Sequence, residues 1–91
     1  MTQITSLKWQ RHEYAAYHVE WHLSGFDGDF NEYGDPKTEI VQYGSARSTP
    51  YEVFVYAEAG DEYPVFEKEC RSLRAAKAEV LNFLNLNAPH A

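Results

Sequence analysis

Residues 38–58 read TEIVQYGSARSTPYEVFVYAE and contain two runs that are rich in β-branched and aromatic residues. These residue types suit a pleated, half-buried surface, so the runs at residues 38–43 and 51–58 predict two strands. The polar residues 44–50 between them have the composition of a turn. The second run carries apolar side chains at both odd and even positions, which is typical of an interior strand that is contacted on both faces.

Residues 14–23, upstream of these runs, alternate with a period of two. The positions on one face are all apolar: Ala15, Tyr17, Val19, Trp21 and Leu23. A strand places such residues on one side, whereas a helix would distribute them around its circumference. The pattern therefore predicts one strand over residues 14–23, and residues 4–12 before it are expected to supply a short edge strand.

A short strand and a helix are predicted at the C-terminal end. Residues 65–69 follow Pro64, which suits the start of a strand because it has no N–H group to donate. Ser72 is predicted as a helix N-cap, since its hydroxyl can accept from a free backbone N–H. Apolar residues recur after it at helical spacing: Ala76, Val80, Phe83 and Leu84. Pro89 cannot continue a helix, so residues 86–91 are expected to form a frayed tail.

Together these elements predict a small α+β fold with two layers. We expect an antiparallel sheet of about four strands, or five with the short N-terminal strand, packed against one C-terminal helix. The chain has 91 residues. A chain of this size buries roughly 60% of its unfolded surface, which is enough for one modest core. Residues 1–91 are therefore expected to form a single domain.

The charge of the chain narrows the classes of partner. Fourteen acidic and eight basic residues give a formal net charge of −6, which repels phosphate backbones and anionic membranes. Direct nucleic-acid binding and membrane binding are disfavoured, and a protein partner with a basic surface is favoured.

Cys70 is the only cysteine, so no intramolecular disulfide is expected. The first residues lack the apolar segment of a signal peptide, and the expected location is the cytoplasm.

The acidic loop, residues 25–36, reads GFDGDFNEYGDP and is the strongest candidate for a binding site. It begins like a calcium-binding loop, but Glu32 stands where an EF-hand requires glycine and Thr38 where it requires glutamate. We therefore predict no metal and no cofactor. The glycines, Asp, Asn and Pro36 are turn formers, whereas the aromatic residues either fold back on the sheet or contact a partner. The predicted partner-binding residues are Phe26, Asp27, Asp29, Phe30, Glu32, Tyr33 and Asp35.

A metal-binding domain or a small metal-dependent enzyme is the first alternative. His18, Glu20 and His22 share one face of the predicted strand. Neighbours on such a face lie about 6.5–7 Å apart at the backbone, so one histidine together with Glu20 could chelate zinc. His18 and His22 are about 13 Å apart on an extended strand and are not expected to share an ion. The simpler interpretation is a polar strand face in contact with solvent.

Nucleic-acid binding by the C-terminal helix is the second alternative. Arg71, Arg74 and Lys77 are spaced by three residues and therefore share a helix face. These basic residues make a weak footprint for a phosphate backbone on a chain with an excess of acids. The simpler interpretation is a solvated helix surface whose charges are paired in part with neighbouring glutamates.

The acidic residues are concentrated in one segment of the chain. Residues 13–39 contain seven acidic residues and one lysine, so this segment carries the same net charge as the whole chain. Such a field raises the rate of association with a basic partner. The serines and Cys70 show no arrangement typical of nucleophilic catalysis. We therefore predict a non-enzymatic acidic module that binds a protein partner, and a homodimer is also compatible with the sequence.

An inhibitory role is the more specific form of this prediction. Phages and mobile elements encode acidic single-domain proteins that block nucleic-acid-handling defence proteins, anti-CRISPR proteins among them. The chain resembles that class in its size and its acidic charge. The resemblance extends to no shared motif, and it implies only that the partner is a basic or nucleic-acid-handling protein.

Overall fold

The computed structural model describes residues 7–15, 18–43 and 48–86. Its elements in chain order are β1 (Lys8–Ala15), β2 (His18–Ser24), β3 (Thr38–Tyr43), β4 (Tyr51–Val55), β5 (Phe66–Cys70) and α1 (Leu73–Leu84). The five strands form one sheet in the order β1-β2-β3-β4-β5, and all neighbouring strands are antiparallel. α1 packs against β3, β4 and β5. The predicted α+β fold is confirmed, with the N-terminal strand as a full member of the sheet.

The prediction of one strand over residues 14–23 is wrong. β1 ends at Ala15, β2 begins at His18, and the two strands pair in antiparallel orientation. Residues 16 and 17 are alanine and tyrosine rather than the Gly, Asn or Asp that mark a tight hairpin, so the sequence carries no turn signal at this boundary. The structure of these two residues lies outside the described part of the chain.

The other strand predictions are confirmed with small differences in their limits. β3 spans residues 38–43 as predicted, and β4 is an interior strand between β3 and β5. β4 ends at Val55 rather than at residue 58, and β5 begins at Phe66 rather than at residue 65. Within the predicted turn at residues 44–50, residues 44–47 lie outside the described ranges.

The hydrophobic core lies between the sheet and α1. Ile40 and Val53 are directly opposite each other on β3 and β4, and neither has exposed surface. Lys68 is opposite Val53 on β5, and its Nζ lies 2.9 Å from the carboxylate of Glu79 on α1. Because residues that are directly opposite share a face of the sheet, this register identifies the face that α1 covers. Other fully buried side chains are Leu23, Val55, Ala76 and Val80.

The apolar stripe of α1 is confirmed at three of its four predicted positions. Ala76 and Val80 are fully buried, and Leu84 packs against the core from its edge. Phe83 is the exception: it is 45% exposed and stacks on Phe66 with 4.7 Å between the ring centroids. Its position three residues after Val80 places it on the flank of the stripe, where it covers the end of β5.

α1 is capped at both ends. Ser72 Oγ accepts a hydrogen bond from the N–H of Ala75 at 3.0 Å, which confirms the predicted N-cap. Asn85 ends the helix in the left-handed conformation, with φ of 56°. Of the predicted tail, Leu86 packs against the core, and residues 87–91 lie outside the described residues. Within the described ranges, no helix is long and apolar enough to cross a membrane.

Candidate interaction surface

The sheet face that α1 does not cover carries two rows of side chains that run across the strands. Directly opposite residues share a face, and positions along one strand alternate between the two faces. The first row crosses all five strands and consists of His12, Glu20, Val41, Glu52 and Glu69. The second row consists of Glu39, Phe54 and Glu67. We call this surface the open face, and it also includes His18, His22 and Tyr43.

Charge is unevenly distributed between the two sides of the sheet. The glutamates of the open face are Glu20, Glu39, Glu52, Glu67 and Glu69. By the same register Arg11 and Lys68 lie on the α1 side, and Lys77 belongs to α1 itself. Lys8 stands at one corner of the open face, opposite Ser24. The open face therefore carries an excess of carboxylates. On the α1 side the charges are mixed, since Arg11 pairs with Glu13 and Lys68 with Glu79.

Glu20 is held between two imidazole rings. One of its carboxylate oxygens lies 2.7 Å from His18 Nε2, and the other lies 2.9 Å from His22 Nε2. The Glu20 side chain is 16% exposed, so both contacts are sheltered from solvent on at least one side. A carboxylate accepts hydrogen bonds, and each ring nitrogen therefore serves as the donor. Glu20 therefore joins His18 and His22 through hydrogen bonds, although the two histidines were predicted to be too far apart to share a metal ion.

The interpretation of this region as a solvated polar strand face is wrong for His22, which is 6% exposed. The ring of His12 on β1 lies 4.6 Å from the His22 ring, measured between centroids. The ring of Phe30, from the acidic loop, meets it edge-on at 6.4 Å. Both covering groups come from other parts of the chain, so the burial of His22 depends on the tertiary structure.

The metal hypothesis finds no matching arrangement in the part of the chain that the structure describes. Within residues 7–15, 18–43 and 48–86, no group of three or more His, Cys, Asp or Glu side chains is placed to hold a metal ion. Both oxygens of Glu20 already contact His18 and His22. The three groups therefore form a hydrogen-bonded cluster on the open face.

Glu39 is a partly buried carboxyl group on the open face. Burial raises its pKa from the ordinary 4.5 to about 7, and the nearby negative charges of Glu20 and Asp35 act in the same direction. His18 acts in the opposite direction and lowers the pKa of Glu39. Glu39 therefore changes its charge near neutral pH while it stands in the row that contains Phe54.

The acidic loop is ordered by hydrogen bonds from its own polar side chains. The Asp29 carboxylate accepts from the backbone N–H groups of Gly25 and Phe30, each at 2.9 Å. Asn31 Oδ1 accepts from the N–H groups of Tyr33 and Asp35 at 3.0 and 2.8 Å. This confirms the turn chemistry that the composition predicts, since Asn and Asp side chains commonly pair with backbone a few residues on.

The aromatic residues of the acidic loop divide between the two predicted roles. Phe26 packs against the core, and Phe30 is half-buried against His22. Tyr33 is 82% exposed. The two phenylalanines therefore fold back on the protein, and Tyr33 is the loop aromatic that faces solvent. The predicted acidic residues that are exposed are Asp27, Glu32 and Asp35, and Asp29 is half-buried.

A shallow pocket joins the acidic loop to the open face. Its volume is about 180 Å³, and it is lined by Asp35, Pro36, Glu39, Tyr56, Gly60 and Asp61. Asp35 and Glu39 come from the loop and from β3, and Tyr56 and Asp61 come from the segment after β4. The pocket therefore combines three carboxylates with one aromatic ring at the edge of an acidic surface.

Gly60→Ala is expected to destabilise the protein more than Gly28→Ala. Both glycines have positive φ, 92° and 83°, so alanine is strained at either position. A Cβ at residue 60 would also overlap the amide group of Asn31, whereas a Cβ at residue 28 meets nothing within 4 Å. We expect Gly60→Ala to cost about 1 kcal/mol more than Gly28→Ala in urea denaturation. Equal losses would show that Asn31 is not held against this turn.

The basic residues of the nucleic-acid hypothesis are not gathered into one free patch. Lys77 Nζ lies 5.6 Å from the centroid of the Trp9 ring, a distance that allows a cation–π contact. The prediction that Arg71 shares a helix face with the other two is wrong, because Arg71 precedes the N-cap Ser72 and lies outside α1. Arg71 and Arg74 are both exposed. Two exposed guanidinium groups give a small footprint for a phosphate backbone.

Cys70 does not have the surroundings of a nucleophile. It is 6% exposed, and burial raises the pKa of its thiol, with the negative charge of Glu79 acting in the same direction. The thiolate is the reactive form of cysteine, so a raised pKa makes the side chain less reactive.

The cross-strand placement of Phe54 and of the glutamates on the last two strands was not predicted from the sequence. Glu52 precedes the buried Val53, whereas Glu67, Lys68 and Glu69 form a charged run without alternation, so this part of the sequence does not show which of its side chains share a face. It does not reveal that Glu67 lies opposite Phe54, because that relation depends on the register between β4 and β5. Comparison of the chain with protein-family models, curated proteins and solved structures gave no match.

Proposed function

We propose that this protein is a non-enzymatic interaction module whose acidic surface binds a basic surface of a partner protein. The observation that carries the proposal is the separation of charge across the sheet. Five glutamates share the open face, whereas Arg11, Lys68 and Lys77 belong to the α1 side. A field that is concentrated on one face attracts a partner of opposite charge and also orients it.

The acidic loop extends this surface beyond the edge of the sheet. Tyr33 is its exposed aromatic side chain, flanked in sequence by the exposed Glu32 and Asp35. Aromatic residues supply contact area in protein interfaces, and charges at the rim supply orientation. Tyr33 is accordingly the anchor, and Asp27, Glu32 and Asp35 are the steering charges. The remaining predicted residues support the loop from within: Phe26, Asp29 and Phe30.

A protein that handles nucleic acid is the partner class that fits this surface best. Such a protein holds phosphate groups with Arg and Lys side chains, and those side chains also attract carboxylates. An acidic module that occupies the phosphate-binding surface excludes the nucleic acid from it. The proposed action is therefore inhibition by competition, as in the inhibitor class to which the sequence bears a general resemblance.

Affinity capture with the full chain as bait, from a nuclease-treated cell lysate, tests this proposal. We expect the captured protein to bind nucleic acid, to be released by raised salt, and to lose its nucleic acid when this chain is added. Raised salt releases it because screening weakens the attraction between exposed charges. The matched control is a bait that carries Arg71→Gln, Arg74→Gln and Lys77→Gln, which should capture the same protein.

Three outcomes would contradict the proposal. One is the absence of any protein enriched over empty resin. Another is loss of capture with the control bait, since that result would place the function on the basic residues at the start of α1 and favour nucleic-acid binding by Arg71 and Arg74. Retention of the partner at high salt would show that charge does not hold the complex, and it too would count against the proposal.

A further inference from the structure

We propose that the open face, centred on Phe54, is the docking surface and that its occupant is a segment of a partner protein that presents arginine side chains. This inference rests on the proposed function and specifies both the surface and the side chain that it recognises. From the sequence, only the acidic loop was predicted to contact the partner. The register of β3, β4 and β5 and the carboxylates of the open face indicate that the sheet forms the main contact surface.

The first observation is the position of Phe54 between two carboxylates. Glu39 lies directly opposite it on β3, and Glu67 lies directly opposite it on β5. Side chains in such positions are about 4.5–5.5 Å apart at Cβ. Phe54 is half-buried, so its ring is not fully covered by its neighbours. A guanidinium group stacked on this ring has a carboxylate within reach on either side.

Arginine fits this arrangement better than lysine. The guanidinium group is planar, stacks on aromatic rings and directs several N–H donors towards carboxylates in a fixed geometry. The lysine ammonium group is a compact point charge that is strongly hydrated and cannot stack in this way. A surface of carboxylates without rings would attract either residue, whereas the row of Glu39, Phe54 and Glu67 distinguishes between them.

The second observation is the first row, where like charges face each other. Glu52 on β4 is directly opposite Glu69 on β5, an arrangement that destabilises an isolated sheet. Glu52 accepts a hydrogen bond from the Tyr43 hydroxyl at 2.8 Å, and Glu69 accepts one from Thr49 at 2.9 Å. The carboxylates are thus held in place before binding.

The pocket at the edge of the open face offers a place for a second arginine. Asp35, Glu39 and Asp61 supply carboxylates there, and Tyr56 supplies an aromatic ring. A volume of about 180 Å³ accommodates the end of one arginine side chain. Glu39 belongs to both this pocket and the row of Phe54, so the two positions are contiguous.

The test uses the full chain and two labelled synthetic peptides, one with several arginines and one with lysine at the same positions. Binding is measured by fluorescence anisotropy. We expect the arginine peptide to bind at least about threefold more tightly than the lysine peptide, since stacking on the ring and bidentate hydrogen bonds to carboxylates add to the attraction between charges. Glu39→Gln combined with Glu67→Gln should lower the affinity for the arginine peptide at least about tenfold, because charge-assisted hydrogen bonds are lost.

Glu13→Gln, compared with Glu67→Gln alone, is the control for the loss of one carboxylate. Glu13 is an exposed acid opposite Val19 on the α1 side of the sheet, and its neutralisation should change the affinity less than about twofold, because exposed charges contribute little at a distance. Phe54→Leu tests the ring itself and should reduce the preference for arginine over lysine. Thermal melts of every variant, recorded in the same buffer, separate loss of binding from loss of fold.

Several results would overturn the inference. The first two are equal affinity for the two peptides and a loss of affinity with Glu13→Gln equal to that with Glu67→Gln. The others are tighter binding of single-stranded DNA than of the arginine peptide, and self-association that Glu67→Gln abolishes. The captured partner distinguishes this failure from failure of the proposed function. If that partner binds the Glu39→Gln, Glu67→Gln variant normally but loses affinity with Tyr33→Ala, the open face is excluded as the docking surface and the proposed function stands.

Discussion

Leu23→Ala is expected to lower the free energy of unfolding by about 2–5 kcal/mol. Leu23 has no exposed surface and belongs to the core between the sheet and α1. The substitution removes apolar contacts and leaves a cavity that the neighbouring strands cannot fully close. Small domains are stable by only about 5–15 kcal/mol, so this one change would remove a large share of the total.

Urea denaturation monitored by tryptophan fluorescence measures this effect. Val65→Ala is the control, because Val65 is 58% exposed and its truncation should cost about 0.5 kcal/mol or less. Comparable losses for the two substitutions would contradict the position of the core, and a small loss for Leu23→Ala would mean that β2 is not packed as described.

Glu39→Gln is expected to stabilise the protein by about 1–2 kcal/mol above pH 7, since partial exposure to solvent weakens the effect of the shift, and to have little effect below pH 4.5. Burial, assisted by Glu20 and Asp35, raises the pKa of Glu39 to about 7 from an ordinary 4.5. Between these pH values the unfolded chain binds fewer protons at this site than the folded protein does, so stability falls as the pH rises. Glutamine has no proton to lose and removes this dependence.

Melting temperatures of the wild type and of Glu39→Gln, recorded from below pH 4.5 to above pH 7, test this prediction. The control is Glu67→Gln, an exposed residue two positions along the same cross-strand row. Its curve should stay nearly parallel to that of the wild type. Parallel curves for Glu39→Gln and the wild type would show that the environment of Glu39 does not favour its neutral form.

The open face contains a feature that does not favour folding. Glu39 is a carboxyl group whose ionised form is disfavoured by burial and by the nearby negative charges of Glu20 and Asp35. Natural proteins commonly keep such locally unfavourable arrangements where function requires them. In the arginine-docking inference, a bound arginine would offset this cost, since it brings a positive charge close to the carboxylate.

Several elements could be predicted from local sequence because residue type and spacing along the chain indicate them. The β-branched run at Thr38–Tyr43 gave β3 with correct limits. Ser72 and the spacing of Ala76 and Val80 gave the start and the buried side of α1. The two-layer α+β fold follows from these elements, because a half-apolar sheet and a half-apolar helix must cover each other.

The limits of local inference appear at the first two strands and at the acidic loop. Residues 16 and 17 carry no turn signal, so the boundary between β1 and β2 became visible only through the pairing of Ala15 with His18. The composition of the acidic loop predicts turns, which Asp29 and Asn31 do stabilise. It does not distinguish Phe30, which covers His22, from the exposed Tyr33.

The sequence by itself determined most of the elements, the fold class and the excess of negative charge, since these depend on residue type and on spacing along the chain. Only the tertiary structure decided where that charge lies. Cross-strand register placed Phe54 between Glu39 and Glu67, and the meeting of β1, β2 and the acidic loop buried His22. The physical reason is that strand pairing joins residues distant in sequence, and a shift of one residue would turn each side chain to the other face.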